Sequence, residues 1–244
     1  MSKYALVTGG SGGLGAAICA MLANNDYKVI FTYHSNKDKA EKILDSLVGE
    51  EHACYQLNVA DTQAIEDLQA NLRKDNIDID LLVNCAGTTQ FVAHHDLDAL
   101  EDSVIDKILS VNVRAPFAMT RSFLPSLKKN KGCVINITSI AAKTAMGSNI
   151  AYCASKAALE NMTCSLARAL APDVRVLSVA PGLIDTEFVK GLDDKWRDQQ
   201  EQATPLQRLA DVDEVAKAVL LAAEHLTFST GTTISVDGGR PLSN

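Results

Sequence analysis

The sequence has no apolar run close to the roughly 18 residues that a helix needs to cross a bilayer, so we predict no transmembrane segment. It has no basic excess either: the formal net charge of −7 argues against a sequence-independent grip on nucleic-acid phosphates. Met1-Ser2-Lys3 leads straight into a strand-like run, and we expect no signal peptide. The six cysteines include no C-x-x-C pair, which predicts buried thiols in a reducing cytoplasm and no disulfide framework or metal site.

Short apolar runs alternate with helical stretches along all 244 residues. The runs are rich in Val, Ile and Leu without polar alternation, as expected for strands covered on both faces. Repeated βα units therefore predict one α/β domain, a doubly wound parallel sheet with helices on both sides. The predicted strands are 3–8, 28–33, 53–57, 80–84, 132–138, 174–180 and 232–236. The predicted helices are 13–25, 37–47, 61–75, 100–128 (broken or kinked at Pro116), 150–171, 186–202 and 211–224.

A glycine-rich segment joins the first strand to the first helix. It reads Thr8-Gly9-Gly10-Ser11-Gly12-Gly13-Leu14-Gly15 and fits both G-x-G-x-x-G and T-G-x-x-x-G-x-G. In this context glycines let the backbone approach a diphosphate, and the helix N-terminus offers N–H groups to it. A βα turn that binds nothing is the alternative. The candidate cofactor-binding residues here are Gly9, Ser11, Gly12, Gly13, Leu14 and Gly15.

Tyr152 and Lys156 stand four residues apart and fall on one face of a predicted helix. A lysine ammonium favours the phenolate and lowers the pKa of the phenol, which predicts a general acid/base near neutral pH. Such a pair alone is a weak signal, because it occurs by chance on many helices. It gains specificity from the glycine segment upstream.

The glycine segment and Y-x-x-x-K together resemble the classical short-chain dehydrogenase/reductase family, over residues 3–239. The resemblance implies a Rossmann-type, seven-stranded sheet in the order 3-2-1-4-5-6-7, and hydride transfer between a nicotinamide dinucleotide and a carbonyl group. It implies that Ser139 and Tyr152 bind the carbonyl oxygen, that Tyr152 donates its proton and that Lys156 stabilises the phenolate. The fourth member of the implied catalytic set is Asn112, which in the family helps to hold a water molecule.

Three further segments resemble parts of the family's cofactor site. Asn58-Val59 corresponds to an adenine contact, and Asn84-Cys85-Ala86-Gly87 resembles N-N-A-G with Cys85 in place of the second asparagine. The segment from Pro181 resembles P-G-x-x-x-T, which wraps the nicotinamide. The implied cofactor residues are Asn58, Val59, Asn84, Ala86, Gly87, Pro181, Gly182, Ile184 and Thr186, together with Tyr152 and Lys156.

The end of the second strand bears on the choice of cofactor. NAD sites usually place Asp or Glu there to hold the ribose hydroxyls. This chain has no carboxylate between Phe31 and Asp38, which predicts NADP(H) in preference to NAD(H). The basic residue that many NADP-preferring relatives carry at the position of Gly12 is missing, so NAD(H) stays open. The candidate phosphate-side residues are Tyr33, His34, Ser35 and Lys37.

Within the family the chain is most similar to the 3-oxoacyl-[acyl-carrier-protein] reductases, which implies reduction of a 3-ketoacyl thioester, as in fatty acid biosynthesis. Motifs such as Thr204-Pro205-Leu206-Gln207-Arg208 are shared with relatives acting on other ketones, sugars and polyketides, and these substrates stay open. The arginines that dock the acidic carrier beside the cleft are missing at Asn130 and in 171–174. Residues 183–210 are a candidate lid. Substrate-facing candidates are Thr89, Ala141, Met146, Leu183 and Phe188.

A regulator that senses the dinucleotide without catalysis is the alternative from another class. The resemblance also implies a homodimer or homotetramer that forms through the helices carrying Asn112 and Tyr152, with a second interface at the last strand. We expect no nucleic-acid or membrane partner. The apolar side chains that fit either an interface or the core are Phe117, Phe123, Leu159, Met162 and Leu166.

Overall fold

The computed structural model of the chain describes residues 3–185 and 194–242. One sheet of seven parallel strands has the order β3-β2-β1-β4-β5-β6-β7, which confirms the predicted fold. Thr186 and Phe188 lie outside the described residues. The strands are β1 (Lys3–Val7), β2 (Tyr27–Tyr33), β3 (Ala53–Gln56), β4 (Leu81–Asn84), β5 (Cys133–Ile137), β6 (Arg175–Pro181) and β7 (Thr233–Val236).

The helices of the described residues are α1 (Gly13–Ala23), α2 (Lys37–Ser46), α3 (Thr62–Lys74), α4 (Asp102–Leu109), α5 (Ala115–Lys129), α6 (Ala141–Thr144), α7 (Ile150–Leu170), α8 (Asp194–Gln202) and α9 (Val212–Glu224). Helix α6 and a 3₁₀ turn, Arg240–Leu242, were not predicted. The first part of the predicted helix 186–202 falls outside the described residues. None of the helices described is both long and apolar enough to cross a membrane.

The predicted helix 100–128 is divided in two next to Pro116, as expected. A π-helical turn, Ser110–Arg114, separates α4 from α5. Pro116 is the second residue of α5, and the π-helical turn directly precedes that helix, as expected where a proline lacks the N–H that would continue the helical bonds. The break therefore lies just before Pro116, and it contains Asn112.

Helices cover both faces of the sheet, so successive strand residues enter two different cores. In β1, Ala5 and Val7 belong to one core and Leu6 to the other, all without exposed surface. This explains the unbroken apolar runs of the sequence. Phe123 and Leu159 are buried, whereas 44% of Phe117 is exposed, so only the last of these three is available to an interface.

A chain of buried polar side chains ties α7 to the sheet. The Asn84 amide donates to Asn136 Oδ1 (2.9 Å), and the Asn136 amide donates to Thr163 Oγ1 (2.9 Å). Thr163 in turn donates to the Leu159 carbonyl, one turn earlier in α7 (2.9 Å). Because unpaired buried polar groups are costly, these bonds favour one position of α7 against β4 and β5.

We predict that Asn136→Ala lowers the free energy of unfolding by roughly 1–3 kcal/mol, because the buried Asn84 amide loses its acceptor. The measurement is urea unfolding. The matched control is Asn25→Ala, whose side chain bonds the Met21 carbonyl at an exposed helix end; its effect should stay within about 0.5 kcal/mol. Equal effects of the two substitutions would contradict the proposed contribution of the buried chain.

Candidate functional site

The candidate residues meet at the carboxyl edge of the sheet, where open α/β sheets bind ligands. The glycine segment follows β1 and residues 84–87 come at the end of β4, its neighbour. Ser139 follows β5, and Pro181 ends β6. The strand order reverses between β1 and β4, so the first two segments flank the switch point.

The glycine segment is packed closely against itself. A Cβ on Gly15 would lie 2.2 Å from the Gly9 carbonyl oxygen, and Gly9 has a φ of +70°, which favours glycine. Thr32 of β2 holds the segment from below: its hydroxyl accepts from the Gly9 N–H (3.3 Å) and its carbonyl from the Gly10 N–H (2.8 Å). The tight turn therefore depends on these glycines and on Thr32.

Helix α1 begins without a capping side chain, unlike α2, α3, α7 and α9. Gly12 precedes it and has no side chain to offer to the first N–H groups, which belong to Gly13, Leu14 and Gly15. A Cβ on Gly12 would meet nothing closer than 3.4 Å. An open helix start with free N–H donors and a positive dipole end fits the diphosphate of a dinucleotide.

The turn after β4 is held to β1 by Thr8. The Thr8 hydroxyl accepts from the backbone N–H groups of Cys85 and Ala86, each at 3.0 Å. Asn84 is buried, and its amide is directed to Asn136 of β5, so this side chain supports the sheet. Gly87 is exposed beside the catalytic candidates: a Cβ there would lie 3.5 Å from Asn112 Oδ1 and 3.7 Å from Lys156 Nζ.

The residues expected at the adenosine end follow β2 and β3. Tyr33 is buried, whereas His34, Ser35 and Lys37 are exposed. Lys37 Nζ lies 3.3 Å from Glu41 on α2, and this contact raises the pKa of the lysine.

Beyond β3, Asn58 is exposed and folds back on its own turn: its side-chain oxygen accepts from the Ala60 N–H (3.1 Å). Val59 beside it is buried.

Ser139, Tyr152 and Lys156 form one cluster. Lys156 is only 7% exposed, and its Nζ donates to the Ile137 carbonyl at the end of β5 (2.8 Å). The same Nζ lies 5.7 Å from the centre of the Tyr152 ring. The Ser139 hydroxyl accepts from the Ala141 N–H (3.1 Å), and it lies close enough to the Tyr152 phenol to act on its pKa. The structure thus brings together three of the four predicted catalytic side chains, with Tyr152 next to both Ser139 and Lys156.

Burial sets the ionisation of this cluster. It raises the pKa of Tyr152, against the opposing effect of the nearby Ser139 hydroxyl. The lowered pKa expected from the neighbouring lysine is therefore wrong for this structure, because loss of solvation dominates. Burial also lowers the pKa of Lys156 to about 8 and raises that of the adjacent Cys85 to about 12. At neutral pH the cluster holds a protonated phenol, a protonated amine and a neutral thiol.

Asn112, the fourth candidate, is buried in the π-helical turn and uses its whole amide. Its Oδ1 accepts from the Thr88 N–H (2.8 Å), and its Nδ2 donates to the Thr88 carbonyl (3.0 Å) and to Ser155 Oγ (3.0 Å). Ser155 donates to the Tyr152 carbonyl (2.7 Å). The Asn112 side chain therefore joins the loop after β4 to the helix that carries Tyr152 and Lys156.

The segment after β6 runs beside residue 210. The Asp185 N–H donates to the Ala210 carbonyl (2.8 Å) and the Ala210 N–H to the Leu183 carbonyl (3.1 Å). Since neighbouring residues of an extended segment face opposite ways, the N–H of Ile184 is directed away from residue 210. Gly182 packs against Asp237, where a Cβ would approach within 2.9 Å.

The candidate substrate-facing residues differ in how far they are exposed. Ala141 is buried, Leu183 is half-buried, and 63% of Met146 is exposed. Thr89 is exposed, and its hydroxyl bonds Ser148.

Several residues of the site were missed by sequence reasoning. Thr32 holds the glycine segment, and Thr8 holds the turn after β4. Ser155 and Thr88 pair with Asn112. Thr32 is a polar residue inside an apolar strand, a signal that could have found it.

Comparisons with known proteins find relatives that match almost the whole chain. The profile of the family described as Enoyl-(Acyl carrier protein) reductase matches residues 9–240. The chain is 34% identical over 244 residues to the 3-oxoacyl-[acyl-carrier-protein] reductase FabG of Haemophilus influenzae, with 99% of each chain covered. It is 32% identical to the FabG of Staphylococcus epidermidis, covering 98% of this chain and 99% of that one. A crystal structure of a Serratia marcescens short-chain dehydrogenase/reductase variant matches with a TM-score of 0.90 at 31% identity, over 98% of each chain.

We predict that Gly15→Ala weakens binding of NADPH roughly tenfold or more, because relieving the contact with the Gly9 carbonyl at a cost of about 1–3 kcal/mol distorts the segment. Gly12→Ala is the matched substitution in the same segment and should weaken binding much less, since its nearest neighbour is at 3.4 Å. Fluorescence titration measures both. Equal losses would show that packing of the glycine segment does not govern binding.

Proposed function

The chain belongs to the short-chain dehydrogenase/reductase family and is an NAD(P)-dependent oxidoreductase; we propose that it uses NADP(H) to reduce the ketone of a 3-ketoacyl thioester to a secondary alcohol. The observation that carries the proposal is the cluster of Ser139, Tyr152 and Lys156 at the carboxyl end of β5. It lies beside an open α1 N-terminus and the Gly87 turn, and so beside the proposed dinucleotide site.

The proposed roles follow from the chemistry of the cluster. When bound, the reduced nicotinamide supplies a hydride for the carbonyl carbon. Ser139 and Tyr152 donate hydrogen bonds to the carbonyl oxygen, where negative charge develops. Tyr152 transfers its proton to that oxygen, and the Lys156 ammonium stabilises the phenolate that remains. The raised pKa of Tyr152 keeps the phenol in the form that donates.

The preference for NADP(H) is supported by the surface after β2. The side chains of His34, Ser35 and Lys37 are exposed there, and the first carboxylate is Asp38 in α2. The ion pair of Lys37 with Glu41 is exposed and weak enough for a 2′-phosphate to compete with it.

An apolar rim beside the cluster supports an acyl chain as part of the substrate. Two loops, 88–97 and 145–149, are joined by the bond from the Val92 N–H to the Ser148 carbonyl (2.9 Å). They expose Phe91 (81%) and Met146 (63%), large apolar side chains that a sugar would not need.

The structure corrects one expectation about the carrier. Asn130 lies between α5 and β5, at the amino edge of the sheet and opposite Ser139, not beside the cleft. The flanking Lys128 and Lys129 already face Asp173 and Asp78. Our proposal therefore concerns the ketoacyl thioester and not a docking surface for its carrier.

We also propose a homodimer or homotetramer, with Phe117 on α5 as one interface residue because it is large, apolar and 44% exposed. A cytoplasmic location is supported by the six cysteines, all of which are described and free. The lid proposal for 183–210 is supported by Arg197 of α8, whose Nη2 lies 3.0 Å from Asp185 Oδ1 beside the proposed nicotinamide segment.

The test is oxidation of NADPH, followed optically, over a panel of ketones, sugars and a 3-ketoacyl thioester, with NADH run in parallel. We expect thioester turnover with NADPH, a loss of at least about 100-fold in Tyr152→Phe, and unchanged cofactor binding in that variant. The matched control is Tyr4→Phe, at the amino edge of the sheet, which should keep full activity.

Turnover in Tyr152→Phe would overturn the proposed role of the phenol. Turnover of other ketones or sugars alone would keep the mechanism and exclude the thioester. Tight NADPH binding without turnover of any compound would favour the dinucleotide-sensing alternative.

The pKa of Lys156, about 8, predicts the pH dependence of reduction. Above that pH the amine loses the charge that stabilises the phenolate, so the saturated rate should fall as pH rises through about 8. Tyr152, whose pKa is raised, stays protonated over this range. The measurement is kcat from pH 6 to 10, with samples returned to pH 7 to check that the enzyme is intact. A rate that stays constant to pH 10 would contradict a role for the lysine charge.

A further inference from the structure

Asn149 is the residue before α7, three positions ahead of Tyr152, and its side chain has no exposed surface. Its Oδ1 accepts from the backbone N–H of Tyr152 itself (2.7 Å). Its Nδ2 donates to the Gln90 carbonyl (2.6 Å) and lies 3.3 Å from Thr89 Oγ1. One buried amide thus contacts both the start of the helix that presents Tyr152 and a loop beside the proposed substrate site.

The capping side chains of α2, α3 and α9 contact only the start of their own helix. Asn36, Asp61 and Asp211 accept N–H groups at the starts of α2, α3 and α9, and all three are exposed. A capping side chain can satisfy an open N–H from the surface, so capping alone does not require burial. The burial of Asn149 reflects its second contact, with a loop about 60 residues earlier in the chain.

The loop that Asn149 contacts is held at its other end by Asn112. The Asn112 amide pairs with both backbone groups of Thr88 and with Ser155 of α7. Residues 88–90 are therefore attached to α7 at two places: by Asn149 at the first turn and by Asn112 near Lys156. Val92, which donates to the Ser148 carbonyl, continues this attachment along the loop.

We infer that Asn149 is a positioning residue of the reaction: it sets the start of α7, and with it Tyr152, against the 88–92 loop that borders the substrate. This inference rests on the proposed role of Tyr152 as proton donor. Proton transfer depends on donor–acceptor geometry, and a displacement of about 1 Å can cost roughly 100-fold in rate. A residue that fixes the Tyr152 backbone and the facing loop together controls that geometry without touching the substrate.

Two substitutions separate the two contacts. Asn149→Asp keeps an oxygen for the Tyr152 N–H, but it replaces the donor to the Gln90 carbonyl with a second oxygen that this carbonyl repels. Asp is as good a helix cap as Asn. Asn149→Ala loses both. Ile79→Val is the control for stability, because it trims a buried side chain at the amino edge of the sheet, away from the site.

The first readout is steady-state kinetics with the compound that the wild-type chain reduces best. We expect Asn149→Ala to lower kcat roughly 10- to 100-fold with NADPH affinity unchanged. Asn149→Asp should keep kcat within about threefold and raise KM for the ketone about tenfold, and Ile79→Val should change neither. A kcat in Asn149→Ala equal to that of the control, or an equal fall in Asn149→Asp, would overturn the inference.

The second readout is hydrogen exchange, which needs no substrate. Asn149→Ala should speed amide exchange in both 88–92 and 150–153, whereas Asn149→Asp should do so only in 88–92. Exchange unchanged in both segments would also overturn the inference. Should Asn149→Ala not fold, the Asp variant still tests the loop contact. Activity retained in Tyr152→Phe is the separate result that would defeat the proposed function; an inactive Tyr152→Phe with a fully active Asn149→Ala defeats only the positioning role.

Discussion

A positive charge buried at the carboxyl end of β5 is the constraint on which the site depends. The Lys156 amine must have an acceptor in a poorly solvated place, and the last carbonyl of β5, that of Ile137, accepts it at 2.8 Å. To bring Lys156 to that carbonyl, α7 must cross β5 at one height and one rotation. Tyr152, one turn earlier, then stands beside Ser139, which comes two residues after the end of the strand.

Directed polar contacts hold α7 in that position where apolar packing alone would let it slide. Thr163 is tied to Asn136 of β5, Ser155 to Asn112, and the helix start to Asn149. Each contact lies at a different level of the helix, and the polar side chains that make these contacts are buried. The π-helical turn contributes to these contacts. It turns Asn112 inward from a stretch that would otherwise continue as an ordinary helix.

Sequence patterns predict what depends on local chemistry. The strands can be predicted because burial on both faces selects Val, Ile and Leu. The glycine segment before α1 can be predicted because a tight turn selects glycine. Asn112 could be picked out as a poor helix former between valines, but not the π turn around it. The raised pKa of Tyr152 could not be predicted, because spacing shows a neighbouring charge and not the loss of solvent. The contact of Asn149 with Gln90 could not be predicted either, since the two residues are brought together only by the fold.

This contrast between local chemistry and the wider fold also explains why the class of reaction is easier to predict from the sequence than the substrate. The reacting groups are attached to strand ends and to α7, which the sheet positions rigidly, and only a few residue types can perform their chemistry. The proposed substrate site is bordered by loops 88–97 and 145–149, whose side chains are free to vary once the backbone is held. In this chain those loops are held by Asn112 and Asn149, while the apolar Phe91 and Met146 project from them. Selection for a different ketone would then act on the projecting side chains and leave the two asparagines in place, because changing either would disturb Tyr152 along with the substrate border.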